Sequence, residues 1–290
     1  LALVSTPSFD PNAFSEGLNS KQWQALVNNP YSPLTNKAIA GQYAPGSTFK
    51  IVVALAALEA GMSADHNVFC PGHMELGDRR FHCWKRHGHG WMSLTSAMRE
   101  SCDVWFYDVA RRIGVDRIAA MANRLGLGAP TGLDLRGEGR GLIPTKQWKR
   151  DKKGQPWHQG ETLVVGIGQG YVLTTPLQLA VMTARTVNGG RAVTPHLTRM
   201  KIDGREITER EGGRAFPDIG IPQEHLEIVR RALDEVVNHA KGTARNSAIA
   251  DEDWQMGGKT GTAQVRRISK AEREAGIRKG EDIAWRLRDH

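Results

Sequence analysis

Apolar residues along the chain form one solid block and several periodic ones. The solid block is Ile51-Val52-Val53-Ala54-Leu55-Ala56-Ala57-Leu58, followed by Glu59 and Ala60. Pro45 and Gly46 break the chain before it and Gly61 stops it, which predicts a helix entered through a turn. Ser47 then lies in the first helical turn, with Lys50 three residues later on the same face. The periodic blocks predict further helices. One starts at Ser93 with Leu94, Ala97 and Met98, pauses at Ser101-Cys102-Asp103, and resumes through Val104, Trp105, Tyr107, Val109 and Ala110 to Gly114. Another carries Ile118, Ala119, Ala122 and Leu125 on one face from Asp116 to Gly126. Thr175-Pro176-Leu177-Gln178 combines a cap, a proline at the first helical position and a capping box, and predicts a helix to about Val187. Pro222 opens the most regular helix, with Leu226, Val229, Leu233, Val236 and Val237 facing inward and Gly242 beyond its end.

Strand signals are fewer. Leu1 to Val4 read as a strand, Val193 to Ile202 and Arg205 to Thr208 as a hairpin through Asp203-Gly204, and Gln255 to Val265 as a strand entered through Gly257 and Gly258. Three stretches lack a period: the loop-rich 28–41, the Gly, His, Cys, Arg and Trp segment 65–90, and the Gly- and Pro-rich 126–160. Residues 266–290 are a charged run. Helices grouped around a few strands predict a mixed α+β fold with an antiparallel sheet.

At 290 residues, 40% hydrophobic and 24% charged, the chain can build a core for one large domain or two small ones. The net charge of +8 comes from basic residues interleaved with acids, which favours an anionic surface or polymer; no nucleic-acid motif accompanies it. No segment reaches the apolar length of a membrane span, and Leu1-Ala2-Leu3-Val4 is too short for a signal core. These features fit a soluble protein or an excised part of an anchored one.

Ser47 and Lys50 change the picture because a serine hydroxyl becomes a nucleophile when a base takes its proton, and a lysine kept neutral by burial or a second cation can be that base. Free N–H groups at the helix start favour negative charge developing nearby. Ser-x-x-Lys alone is common by chance, and an ordinary helix start is its plain reading. Two further motifs alter that balance: Ser101-Cys102-Asp103 and Lys259-Thr260-Gly261-Thr262 follow in order, the first between helices and the second on the expected strand.

The ordered set resembles the signature of the penicillin-recognising serine enzymes. Gly141-Leu142-Ile143-Pro144, Gly166-Ile167-Gly168-Gln169-Gly170 and Thr175-Pro176-Leu177-Gln178-Leu179-Ala180 are similar to the transpeptidase domain of class B penicillin-binding proteins. The sequence from Trp91 onward, the Ser-x-Asp form and the charged run after Thr262 resemble their cell-elongation group, penicillin-binding protein 2. The resemblance covers nearly the whole chain. It implies an antiparallel sheet flanked by helices, an all-helical subdomain, and a D,D-transpeptidase that cross-links peptidoglycan stem peptides and is acylated by β-lactams.

By that resemblance Ser47 attacks the carbonyl between two terminal D-alanines and Lys50 takes its proton. Ser101 and Lys259 relay the proton to the leaving D-alanine, and Asp103 positions Lys50. Thr260 and Thr262 hold the substrate carboxylate, Gly261 keeps room for a substrate along the strand, and the N–H groups of Ser47 and Thr262 form the oxyanion hole. The family commonly has Asn at the Asp103 position. An acid there favours the charged form of at least one lysine and leaves open which is neutral. No catalytic cofactor is implied.

Cys70, Cys83 and Cys102 are the only cysteines. If Ser101 and Asp103 face a cleft, Cys102 faces away, towards the aperiodic segment with His73, His82, His87 and His89. Three thiolates and one imidazole would make a closed structural zinc site; Gly88 and Gly90 favour His89 as fourth ligand, with His87 the runner-up. A Cys70–Cys83 disulfide with a buried Cys102 thiol, or three free cysteines, are the other readings. Trp23, Trp84, Trp91 and Trp148 could line a cleft, although such residues usually pack.

The expected organisation is a transpeptidase domain over 1–290, with a Cys/His-rich insert at 65–92 and a charged loop at 266–290. The family's fold has further strands and a helix after the Lys-Thr-Gly strand, so a C-terminally truncated fragment is expected. A membrane anchor outside this chain, the periplasmic face of the bacterial inner membrane, and a glycosyltransferase and a scaffold protein as elongation partners are expected by analogy. The other functional readings are a β-lactamase or D,D-carboxypeptidase of the same superfamily, or a noncatalytic penicillin-binding sensor or scaffold.

Overall fold

The computed structural model describes residues 2–198, 200–203, 206–209, 216–251 and 253–262. Ala2 to Val4 lie outside any ladder, contrary to the strand expected from their apolar run; no described strand is available to pair with them. Short helices precede the solid apolar block: α1 (Asn12–Glu16), α2 (Ser20–Val27) and α3 (Lys37–Ala40). Asn19 caps α2 with a full capping box, and the Asn36 side chain caps α3 inside the stretch expected to be loop.

Gly46–Phe49 forms a 3-10 turn that passes directly into α4 (Lys50–Glu59), so Ser47 sits on the tighter turn and Lys50 opens the helix. Every α4 residue except Glu59 is buried, as its solid apolar run requires. The aperiodic segment folds as two antiparallel pairs, β1 (Val68–Cys70) with β4 (Gly90–Met92) and β2 (His73–Leu76) with β3 (Arg79–His82). Strands this short cannot show a convincing alternation in sequence.

The periodic blocks become α5 (Leu94–Arg99), α6 (Asp103–Ile113) and α7 (Val115–Arg124). One helix interrupts the stretch expected to be turns, α8 (Lys146–Lys153), capped by Thr145, and a second, α9 (Gln159–Val165), begins at its end. The capping-box helix is α10 (Pro176–Val187), the hairpin is β5 (Met200–Asp203) paired with β6 (Glu206–Glu209), and the Pro222 helix is α11 (Gln223–Asn238). Gln255 to Thr262 join no ladder, in contrast to the expected strand. Their recorded backbone tie is the Gly258 N–H, which donates to the Leu233 carbonyl of α11 at 3.0 Å. The remainder of that expected strand and the 266–290 loop lie outside the described residues.

The core is built where α4 packs against α6, α7 and α11, with α5 against α11 and α9 against α6. Phe49, Leu55, Trp105, Phe106 and Ile118 are fully enclosed, and burial of side chains of this size contributes roughly 1.5–3 kcal/mol each. The fold is mixed with antiparallel pairing, as expected: among the described residues there are three two-stranded sheets and isolated antiparallel bridges at Tyr43–Thr174, Leu142–Leu173 and Arg191–Asp218.

Candidate active site

The site is assembled from the start of α4, the junction of α5 and α6, and the 259–262 segment. Lys50 is completely buried, yet its Nζ reaches the Ser101 carbonyl at 2.9 Å, Ser101 Oγ at 3.1 Å and Asp103 Oδ1 at 2.7 Å. Three acceptors occupy the three donor directions of an ammonium. Ser47 is half-buried on the preceding turn, and its carbonyl accepts from the Lys50 N–H.

Why the helical pattern pauses at Ser101 is now visible. Ser101 has φ 54°, a left-handed backbone that costs a non-glycine residue free energy, and the chain reverses there between α5 and α6. The Cys102 N–H ties back to the Ala97 carbonyl at 2.9 Å. Asp103 follows as the first residue of α6, where the helix end favours an acid. Its second oxygen accepts the Trp84 N–H at 3.0 Å.

Lys259 completes the centre. Its Nζ lies 2.9 Å from Ser101 Oγ, 3.1 Å from the Thr260 carbonyl and 3.3 Å from Thr260 Oγ1. The Ser101 hydroxyl is therefore shared by two lysines. Burial, reinforced by the charge of Lys50 and opposed by Asp103, pushes the Lys259 amine down to about 7.

Gly46 and Gly261 explain how two chain segments come this close. A Cβ on Gly46, at φ 56°, would strike the Thr262 carbonyl. One on Gly261 would meet Thr48 Cγ2 at 2.8 Å and the Pro45 carbonyl at 3.2 Å. The space that Gly261 keeps open is thus taken by the Ser47 turn itself, where the sequence suggested room for substrate. Gln169 Nε2 donates to the Thr262 carbonyl at 3.0 Å, and Thr243 Oγ1 lies 3.0 Å from Thr260 Oγ1. Gln169 and Thr243 had no assigned role from sequence, and Trp84 was one of four tryptophans that could line a cleft. Gln169 stood in a recognised motif, Trp84 among residues that usually pack, and Thr243 carried no signal.

Behind Ser101 the side chains of Cys70, Cys83, Cys102 and His89 converge, their ligand atoms all within 4.8 Å of one another. His89, not His87, is the histidine present: its Nδ1 lies 3.6 Å from Cys70 Sγ and 3.5 Å from Cys83 Sγ, and its buried Nε2 has no hydrogen-bond partner among the described residues. The cysteines are free thiols, with no disulfide between Cys70 and Cys83. Hydrogen bonds from Cys102 and then Cys83 lower the Cys70 thiol, and a hydrogen bond from Cys102 also lowers Cys83; the thiol of Cys102, hydrogen-bonded to both and buried, is raised. Three soft sulfur donors and one imidazole nitrogen, enclosed together, form a set that fits a tetrahedral metal.

A family model for the penicillin binding protein transpeptidase domain matches residues 1–285. The peptidoglycan D,D-transpeptidase MrdA of Haemophilus influenzae is 41% identical over 98% of this chain and 44% of its own length. A solved structure of Pseudomonas aeruginosa PBP2 in complex with WCK 5153 superposes with TM-score 0.83 at 42% identity, covering 91% of this chain and 60% of that one. PBP2 of Helicobacter pylori, solved in complex with MreC, gives TM-score 0.80 at 33% identity, over 90% of this chain and 47% of that one. The chain spans less than half the length of the Haemophilus relative. Sequence match along nearly the whole chain and a shared fold agree with the three motifs gathered around Ser101: the chain belongs to the penicillin-binding protein transpeptidase domain family.

Proposed function

We propose that this chain is the catalytic domain of a cell-elongation peptidoglycan D,D-transpeptidase that is acylated by β-lactams. The observation that carries the reading is the Ser101 hydroxyl between Lys50 and Lys259, in the cleft that Ser47 borders. Lys50 donates to Ser101 Oγ, and the Ser101 O–H can donate to a neutral Lys259. Passing one proton along this pair leaves Lys50 neutral without moving a heavy atom. Lys50 then takes the Ser47 proton while Ser47 Oγ bonds to the carbonyl between the terminal D-alanines. The N–H groups of Ser47 and Thr262 receive the oxyanion, each such donor being commonly worth about 3 kcal/mol.

When the C–N bond breaks, the proton returns through Ser101 to the leaving D-alanine amine, whose carboxylate is held by Thr260 and Thr262. An acceptor amine then attacks the acyl-serine, forms the cross-link and restores Ser47. Asp103 keeps Lys50 in place throughout.

Zinc is proposed as a structural ion held by Cys70, Cys83, His89 and Cys102. It would close the loop that carries Trp84 and brace Ser101 from behind, taking no part in acyl transfer. No described helix is long and apolar enough to cross a membrane. The site of action proposed is the periplasmic face of the inner membrane, because the wall polymer lies there; the anchor would belong to another part of the protein. A scaffold protein, as in the Helicobacter complex with MreC, and a glycosyltransferase are the partners proposed.

Intact-mass measurement after incubation with a β-lactam tests the reading. One covalent adduct per chain, lost in Ser47→Ala, is expected; absence of an adduct, or rapid drug turnover, overturns it.

A further inference from the structure

We propose that a pocket beside Ser101 binds a carboxylate of the acceptor stem peptide, an inference that rests on the transpeptidase reading above. The pocket encloses about 360 Å³ and is lined in part by Trp84, Lys85, Glu100, Lys241 and Thr243. Its walls are tied to the catalytic residues. Trp84 Nε1 donates to the carbonyls of Glu100 and Ser101, both at 3.1 Å, and its N–H donates to Asp103. The Thr243 N–H donates to the Arg99 carbonyl at 3.2 Å while its hydroxyl meets Thr260. Thr243 is thus the step between the pocket and the 259–262 segment.

The wall of the pocket carries both signs, and its exposed charges are lysines; Arg99 is shared between Glu100 and Glu235. Glu100 is buried and paired with Arg99 at 2.9 Å. Lys85 and Lys241 are exposed and line the same pocket, and neither has an ion-pair partner among the described residues. A single exposed lysine is usually a solvated charge. Two of them around an indole that is pinned at its N–H and 60% exposed form a surface for a flexible anionic chain with methylene or peptide groups to stack.

Reaction direction selects the occupant. The acceptor amine must approach the acyl carbonyl along the path by which the D-alanine amine left, by microscopic reversibility. The leaving side is marked by Lys259 and Thr260. An acceptor strand whose amine stands there continues past Thr243 into the pocket, where its carboxylate meets Lys85 and Lys241. The donor strand, held through Ser47, has no need of this region.

The test uses the full-length protein with one D-Ala-D-Ala donor and two acceptor stem peptides, one with free carboxylates and one amidated. In Lys85→Ala/Lys241→Ala the acceptor KM should rise about tenfold for the carboxylated peptide and stay within twofold for the amidated one, the loss of roughly one charge-assisted contact. Lys85→Arg/Lys241→Arg should restore the discrimination. The rate of β-lactam acylation, which needs no acceptor, reports an intact cleft. Equal changes for both acceptors, no change for the carboxylated one, or a donor KM effect instead would overturn the proposal. Failure of the unmutated protein to acylate would instead overturn the transpeptidase reading.

Discussion

Ser101 Oγ stands 2.9 Å from Lys259 Nζ and 3.1 Å from Lys50 Nζ, so one hydroxyl joins two lysines that differ in surroundings. Lys50 has a carboxylate at 2.7 Å; Lys259 has none within ion-pair distance among the described residues, and its amine is pushed down to about 7. To receive a proton through Ser101, Lys259 must be neutral.

Acylation by a β-lactam should therefore lose rate as pH falls through about 7, tenfold per pH unit once Lys259 is protonated, and level off above it. Lys259→Arg remains charged over the whole range and should acylate at least about a hundredfold more slowly, without the acid limb. Second-order acylation rate constants between pH 5 and 9 read both effects; an unchanged limb in the arginine variant would assign it to another group.

Asp103 links three parts of the site: the Lys50 ion pair, the Trp84 N–H, and the charge balance at Lys259, whose value it raises. Asp103→Asn keeps an acceptor for the N–H and removes the charge, so the acid limb of acylation should move to lower pH. Asp103→Ala leaves a buried ammonium without its partner and should cost about 3–5 kcal/mol of stability. Thermal denaturation and the acylation profile separate the two variants. A limb that moves upward in Asp103→Asn would contradict the electrostatic account.

Gln169 acts on Thr262 through one exposed hydrogen bond, 3.0 Å to the carbonyl. Gln169→Ala should slow acylation roughly five- to tenfold, the worth of a net hydrogen bond of about 1 kcal/mol, with little change in melting temperature. Gly46→Ala meets the Thr262 carbonyl directly and should do more damage to both quantities. Rates and melting curves on the two variants decide whether the contact positions the site or merely accompanies it.

Motif order and helix periodicity pointed to most of the residues that the structure brings together around Ser101, because those signals are local. Lys50 follows a turn, Asp103 opens a helix, and the capping box at Thr175 is complete in four residues. What escaped depends on partners far along the chain. α8 reads Lys-Gln-Trp-Lys-Arg-Asp-Lys-Lys, with no apolar stripe; it is anchored by Lys149, 1% exposed, whose Nζ is 2.6 Å from both oxygens of Glu161 on α9. A buried lysine with a carboxylate partner looks, in sequence, like one more surface charge. The Gln255–Thr262 segment read as a strand from composition, while its described backbone contact is with α11. Thr243 gained its place through a hydroxyl contact across 17 residues, which no pattern announces.

The cluster behind Ser101 supplies the last prediction. Cys102 precedes Asp103 and follows Ser101, so any ion holding its sulfur also fixes the backbone turn that presents both side chains to Lys50. Zinc analysis of the purified protein should give one ion per chain. Stripping it with a chelator should lower stability by about 4 kcal/mol if the ion is normally present near a thousand times its Kd. For a domain of this size that is a fall in melting temperature on the order of 10 °C. His89→Ala should reproduce the fall and become insensitive to chelation, whereas His87→Ala, outside the cluster, should behave as the unmutated protein. Acylation should weaken after stripping because Ser101 loses its brace, and re-addition of zinc should restore both stability and rate. A protein that purifies without zinc and melts at the same temperature with or without chelator would leave the four side chains as a thiol-rich packing cluster and remove the ion from the account.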